Sequence, residues 1–386
     1  MTVRDRLRVL HLGRFFRQPP ASGIERHVAT LLKALAQHCE AHNLVAGDRL
    51  KGHSLEIDGY FVHFAPCFGV LASTAVSPTL PFWARRLHAR HRFDLVHLHF
   101  PDPLSHLAAL MLPAELPRVV TWHSDIVRQK TLLPFYRPAQ KRFMSRVDAV
   151  IAACEAVFAN SSQLGTAPLE KRHVIGLGLD YAGFDDPAVI SEAARLRQTL
   201  PPGKVLILSV GRHVYYKGIE YLIEAVTMLP EAYLVLAGSG PLTDAWRKLA
   251  VQRGVSERIR FVGSVDDARL RAWYQACDIF CLPSTAPAET FGQVQLEAMA
   301  CGKPVVSTRL GTCVEYVNQD GQTGFVVPPR DVPALTQSLR RLIENPSLRQ
   351  ALGQRGEERA RGLFSAEAMA SATLRLYEQI LAKTDA

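Results

Sequence analysis

No stretch of the 386-residue sequence approaches the ~20 consecutive apolar residues that a membrane-spanning helix needs. The opening MTVRDRLRVLHLGRFF has too short an apolar part for a secretory leader, and arginine interrupts it. A cytoplasmic chain is the expectation. Cysteine is scarce: seven residues at irregular spacing fit a reducing compartment. Cys277 and Cys281 have no second pair to complete a zinc site. A full dinucleotide fingerprint is also missing, because Gly238-Ser239-Gly240-Pro241 lacks a third glycine and the proline alters the turn. That argues against a nicotinamide oxidoreductase. There is no convincing Asp-x-Asp; Asp185-Asp186 and Asp266-Asp267 are adjacent pairs. No repeat, low-complexity tract, zinc finger or RNA-binding signature is present, so nucleic acid is not an expected partner.

What is there is apolar and basic. Hydrophobic residues make up 48%, enough for two cores in a chain of two-domain length, and the formal charge is +9. Basic residues crowd the first half: Arg4, Arg6, Arg8, Arg14 and Arg17, then Arg85, Arg86, Arg90 and Arg92, then Arg128, Lys130, Arg137, Lys141 and Arg142. Plain solubility is one reading. An anionic lipid surface is the other, at ~1 kcal/mol per basic residue near it.

Short apolar runs alternate with helical patterns. Arg8–Leu12, Leu44–Ala46, Tyr60–Phe64, Asp94–His99, Val119–Trp122 and Asp148–Ala152 read as strands of a first domain. Leu80–His91 reads as a helix, and Ser22 with Glu25 reads as a capping box at a helix start. His97 and His99 share a strand face, with Asp102 and His106 nearby, yet their spacing matches no standard zinc pattern. Leu200-Pro201-Pro202-Gly203 breaks the chain before Val205–Val210, the first strand of a second domain. Tyr233–Ala237, Arg260–Gly263, Phe280–Leu282 and Gly324–Val327 follow, with a last helix from about Ala366 to Ala382. Such alternation predicts two parallel sheets, with ligands beyond the carboxyl ends of the strands.

Two stretches carry chemistry. In Glu289–Val306, ETFGQVQLEAMACGKPVV, Glu289 lies in a loop and Phe291-Gly292 turns into a short helix. Glu297 falls on that helix's second turn, about 7 Å along from Gly292. Gly302 and Pro304 stop the helix. Two carboxylates thus flank a helix N-terminus that favours an anion. Hydroxyl groups and phosphate in one ligand suit that patch, and a nucleotide-sugar has both. After Val210, Arg212 and Lys217 stand five apart at a strand-to-helix turn: a bidentate phosphate binder and a point charge. The bland reading of each is a solvated surface charge.

Taken together, these strings resemble the retaining glycosyltransferases of family 4, over most of the chain. The resemblance implies an α/β GT-B fold: two Rossmann-like parallel-sheet domains facing each other across a cleft. Residues 1–180 would bind the acceptor and 181–365 the donor, with the terminal helix, about 366–386, packing back on the first domain. It implies that Arg212 and Lys217 hold the diphosphate, Glu297 the ribose and Glu289 the donor sugar's hydroxyls. The backbone at Phe291 and Gly292 would face sugar and phosphate. Gly23 would approach the donor phosphates, and main-chain groups ending at Gly263 would read the base. His123, after the strand Val119–Trp122, matches the family's histidine beside the reaction centre; Asp125 is a weaker candidate.

The string TWHSDIVRQKTLLPFYRP resembles members that build bacterial surface polysaccharide. It implies transfer of mannose or a deoxyhexose from a GDP-sugar to a lipid-linked saccharide at the anionic inner membrane, by a soluble enzyme that docks there. No cofactor and no metal are expected, because the cations can stabilise the leaving diphosphate. A front-face route would let that phosphate take the acceptor proton. Open alternatives are a UDP-sugar donor, a glycogen- or sucrose-type synthase, a nucleotide-sugar epimerase and a non-catalytic nucleotide-sugar binder.

Overall fold

The computed structural model describes residues 6–13, 16, 23–71, 74–126, 133–164 and 167–384. Ser22, Arg4, Arg14, Arg17, Arg128 and Lys130, and the whole of the segment 127–132, lie outside these. The chain forms two compact units. The first is residues 1–178 with 366–386, and the second is 179–365.

The first unit runs β1 (Arg8–Leu12), α1 (Gly23–Leu35), β2 (Glu40–Ala46), β3 (His53–Ile57), β4 (Tyr60–Ala65), β5 (Val70–Leu71) and β6 (Thr74–Ala75). Then come α2 (Leu80–His91), β7 (Leu95–Phe100), α3 (Pro103–Leu110), β8 (Arg118–Trp122), α4 (Leu133–Met144), β9 (Ala149–Ala152), α5 (Glu155–Asn160) and β10 (Arg172–Val174). Its eight-stranded sheet has the order β10-β9-β8-β7-β1-β2-β4-β3. All neighbours are parallel except β3 with β4. β7, β8 and β9 are buried throughout, as continuous apolar runs covered on both faces should be. β3, β5, β6 and β10 were not anticipated by the sequence reading. Of these, β3 is the clearest case. It is an exposed edge strand joined to β4 through Asp58-Gly59, whose φ values of 49° and 82° suit a two-residue hairpin. The C-terminal helix (Ala366–Thr384) packs on this unit. Met369, Leu376, Tyr377 and Ile380 bury against Val28, Leu31, Leu32 and Leu35 of α1. Each such side chain contributes roughly 1.5–3 kcal/mol on leaving water.

The second unit begins with α6 (Pro187–Gln198). Then follow β11 (Val205–Val210), α7 (Ile219–Thr227), β12 (Ala232–Ala237), α8 (Thr243–Gln252), β13 (Ile259–Gly263), α9 (Asp267–Ala276), β14 (Ile279–Leu282) and α10 (Gln293–Ala300). It ends with β15 (Val305–Thr308), α11 (Cys313–Val317), β16 (Gly324–Val327), α12 (Val332–Glu344) and α13 (Pro346–Leu363). The six strands are parallel, in the order β13-β12-β11-β14-β15-β16. In each unit the order reverses at one strand. The switch point lies between β1 and β7 in the first and between β11 and β14 in the second, which is where open α/β sheets bind ligands.

Both adjacent acid pairs are structural. Asp186 and Asp266 cap α6 and α9, and Asp185 takes a two-pronged bond from Arg361 at 2.7 and 2.9 Å. Cys277 and Cys281 are buried free thiols, and burial raises Cys277 to about 12. Among the described residues, no helix is long and apolar enough to cross a membrane.

Candidate functional site

The second unit's switch point is built from the turn after β11 and the loop after β14. Gly211 and Gly218 bracket the first. A Cβ on Gly211 would stand 3.0 Å from Lys217 Cε, so the glycine leaves room for the lysine side chain. Gly218, at φ 62°, admits no side chain at all: its Cβ would lie 2.2 Å from the Pro283 carbonyl oxygen. The two turns are therefore in backbone contact, and the Thr285 N–H donates to the Tyr216 carbonyl at 2.7 Å.

This closeness joins two residues that the sequence reading assigned to different parts of a ligand. Lys217 Nζ donates to Glu289 Oε2 at 2.6 Å, with each side chain only 11% exposed. Ser284 Oγ donates to the same oxygen at 2.9 Å. Thr312 Oγ1 donates to the Glu289 carbonyl at 2.9 Å, so α11 steadies the loop as well. An ammonium has three N–H donors, and the other two of Lys217 find no hydrogen-bond partner among the described residues. Arg212 is exposed and makes no ion pair among the described residues. Burial, then Glu289, push the Tyr216 phenol above its ordinary value.

Gly292 starts α10 at φ 67°, and no side chain caps the helix. α7, which starts at Gly218, is uncapped in the same way. Side chains of Asp186, Asp266, Thr312, Asp331 and Asn345 cap α6, α9, α11, α12 and α13, while α8 is also without a side-chain cap. The helices that follow the two switch-point strands thus begin without a side-chain acceptor on their first-turn amides, where an anion would sit. Phe291 puts its ring in the core, edge-on to Phe364, and its carbonyl accepts from Gln295 Nε2 at 3.3 Å. Glu297, on the second turn of α10, is buried and accepts from Tyr274 Oη at 2.6 Å. Burial, then Glu297, hold that phenol well above its ordinary value, so it stays a donor.

Gly238 and Gly240 have a packing reason. Cβ atoms there would lie 2.0 Å from the Gly211 carbonyl oxygen and 2.5 Å from that of His213. The Gly-x-Gly seats one turn on the other. Gly263 ends β13 at φ 71° with open space above its Cα, and its carbonyl accepts from the Gly238 N–H at 2.8 Å.

In the first unit, Gly23 is the exposed first residue of α1. His123 directly follows β8, and its N–H donates to the Phe100 carbonyl at 3.2 Å. Burial, then His27, hold its imidazole well below the ordinary value, so it is neutral at pH 7. Asp125 is a structural staple: Trp122 Nε1, Ser161 Oγ and the Ser162 N–H and hydroxyl all donate to it. The foursome His97, His99, Asp102 and His106 does not assemble. His106 pairs with Tyr136, Asp102 accepts from Ser105, and His97 and His99 lie with His11. Tyr274, Ser284, His11 and His27 carry no local motif; only their tertiary contacts reveal them.

Two family models divide the chain between them. Residues 21–182 match Glycosyltransferase Family 4, and residues 191–359 match Glycosyl transferases group 1. The D-rhamnosyltransferase WbpZ of Pseudomonas aeruginosa is 35% identical over 363 residues, covering 93% of each chain. The O-antigen chain mannosyltransferase C of Escherichia coli is 30% identical over 97% of this chain and 99% of its own. Among solved structures, a sucrose-phosphate synthase from Thermosynechococcus elongatus superposes with a TM-score of 0.75 at 24% identity. That alignment covers 98% of this chain and 100% of the synthase, and it speaks to the fold alone. With its two parallel sheets and these relatives, the chain belongs to glycosyltransferase family 4 and is a glycosyltransferase of the GT-B fold.

Proposed function

We propose that this enzyme moves mannose or a deoxyhexose from a GDP-sugar to a lipid-linked oligosaccharide in bacterial surface polysaccharide synthesis, with retention of anomeric configuration. The observation that carries the donor site is the Lys217–Glu289 pair between two uncapped helix starts at the β11/β14 switch point. Lys217 and Arg212 take the diphosphate, and Glu289 holds sugar hydroxyls while orienting the lysine. Glu297, steadied by Tyr274, takes the ribose. Gly23 approaches the phosphates, and the backbone around Gly263 reads the base. As the bond from anomeric carbon to phosphate breaks, charge grows on the leaving diphosphate. Cations and helix amides aimed there stabilise the transition state more than the ground state. No metal is required for that. The departing phosphate then accepts the acceptor hydroxyl's proton. His123, neutral, hydrogen-bonds the donor sugar.

The choice of sugar and acceptor is supported by the names of the relatives, a rhamnosyltransferase and an O-antigen mannosyltransferase. Docking on an anionic inner-membrane surface is supported by α2 and α4. Exposed Arg85, Arg86, Arg90 and Arg92 lie on α2 and its end beside Phe82, itself 63% exposed. Arg137, Lys141 and Arg142 are exposed on α4. The test is a thermal-shift screen of GDP, UDP, ADP and their sugars, followed by mass spectrometry of products on lipid-linked acceptors. Stabilisation by GDP and a glycolipid one hexose larger are expected. Transfer from UDP-sugars alone would overturn the donor choice. Epimerised donor without an acceptor, or binding without turnover, would overturn the transfer reaction. Flotation with anionic vesicles should weaken steeply with salt; binding indifferent to lipid charge would remove the docking surface.

A further inference from the structure

His123 stands at the end of a row of buried imidazoles. The parallel register sets His11 of β1 beside His97 of β7, and His99 beside Thr121 of β8, with His123 one residue past that strand. His11 Nδ1 lies 3.2 Å from His99 Nε2, and His99 Nδ1 lies 3.3 Å from His123 Nε2. His97 stands outside the row, because Tyr377 Oη at 2.5 Å and Thr121 Oγ1 at 2.7 Å take both its nitrogens. His27 of α1 meets the His123 ring edge-on at 4.9 Å, and neither of its nitrogens has a hydrogen-bond partner among the described residues.

Burial keeps the three rings of the row, His11, His99 and His123, neutral, so each carries one N–H. Two orderings of three protons are then possible. In the first, His123 donates from Nε2 to His99, and His99 donates from Nε2 to His11. His11 then keeps its proton on its own Nε2, which is buried with no acceptor among the described residues. In the second, every proton sits on Nδ1, and the orphan at His11 is only a lone pair. A buried N–H without an acceptor is the rarer defect, which selects the second ordering.

We propose that His11 and His99 are positioning residues that hold His123 as its Nδ1–H tautomer. His123 then presents a hydrogen-bond donor, not a base, to a substrate oxygen. The consequence for turnover rests on the reading that His123 contacts the donor sugar; the tautomer itself does not.

The test is long-range proton–nitrogen NMR of the full chain labelled with nitrogen-15 histidine, without ligand, with His123 identified by its loss in His123→Gln. The proton should sit on Nδ1 of His123, His99 and His11. In His99→Phe the His123 tautomer should become mixed. kcat should fall about tenfold, the size of one net hydrogen bond, while nucleotide Kd moves less than about twofold. His99→Asn, whose amide N–H reaches the Nδ1 position, should restore both tautomer and rate. A proton on His123 Nε2 in the parent overturns the proposal, and so does a His99→Phe variant with unchanged tautomer; a changed tautomer with an unchanged rate overturns instead the reading that His123 contacts the donor sugar. Ligand atoms of His27, His99 and His123 lie within 4.8 Å of one another, so elemental analysis is the remaining arm. One equivalent of transition metal on the purified chain would replace the hydrogen-bonded row with a metal site.

Discussion

The contact between Lys217 and Glu289 makes a quantitative prediction. At 2.6 Å and an effective dielectric near 20, the attraction is roughly 6 kcal/mol. Desolvation of two nearly buried ions offsets most of it, at several kcal/mol per ion. The pair as a whole therefore adds little stability, but removing one member strands the other. Fully buried pairs lose about 3–5 kcal/mol on such a deletion. Here each side chain keeps 11% exposure and Ser284 still serves Glu289, so about 2 kcal/mol is expected for Lys217→Met. In a domain of this size that is roughly 4–8 °C in the melting temperature of the second unit. A cycle of Lys217→Met, Glu289→Gln and the double variant, followed by calorimetry, should show coupling of about 2 kcal/mol. Titration with a nucleoside diphosphate separates the ligand roles. Lys217→Met should lose about 1.5–3 kcal/mol of affinity, because it removes a charge-assisted donor. Glu289→Gln should keep affinity within a few-fold while turnover drops further, since the ammonium remains and the sugar's acceptor is altered. Coupling below about 0.3 kcal/mol, with Lys217→Met binding nucleotide like the parent, would refute the assignment.

Burial holds His11 at about 3, His27 at about 4 and His106 at about 3, against an ordinary 6.5. Between those values and 6.5 the unfolded chain binds more protons than the folded one. Stability is therefore complete above that range and falls on acidification, by up to about 1.4 kcal/mol per pH unit for each histidine. A melting temperature that stays flat from neutral to about pH 5 would contradict this. Gly218→Ala should destabilise by roughly 3 kcal/mol or more, because its Cβ would overlap the Pro283 carbonyl. Gly254→Ala, at φ 66° with nothing within 4 Å, should cost only about 1 kcal/mol in thermal melts; equal losses would undo the backbone-contact argument. Chelator-treated enzyme in metal-free buffer should keep most of its rate, and activity recovered only with added Mg²⁺ or Mn²⁺ would reject the cation-based account of the leaving group.

Most of the parallel strands were legible because both faces are covered, so they read as short apolar runs; β10, three half-buried residues Arg172–Val174, and β15, Val305–Thr308, were not read. β3 escaped because only one of its faces packs and its burial is intermittent; yet Asp58-Gly59 was a hairpin signal in plain view. The Glu289–Glu297 stretch of the candidate site was legible for a different reason. Glu289, Gly292 and Glu297 fall within nine residues, and a helix start converts that spacing into geometry. Their supports were not. Tyr274 reads as a core aromatic of α9 until it is found 2.6 Å from Glu297, 23 positions on. Lys217 and Glu289 are 72 residues apart, and nothing local states that the lysine reaches the carboxylate. Sheet order decides it. With β14 next to β11, the turns after those strands must touch, and Gly218 is the residue that lets them. The imidazole row obeys the same rule in the first unit. His11 and His99 are separated by 88 residues and meet because β7 crosses back to lie against β1. A strand-end histidine such as His123 can be picked out from sequence as a candidate. Which of its nitrogens carries the proton depends on neighbours two strands away, and so becomes readable only once the register is known.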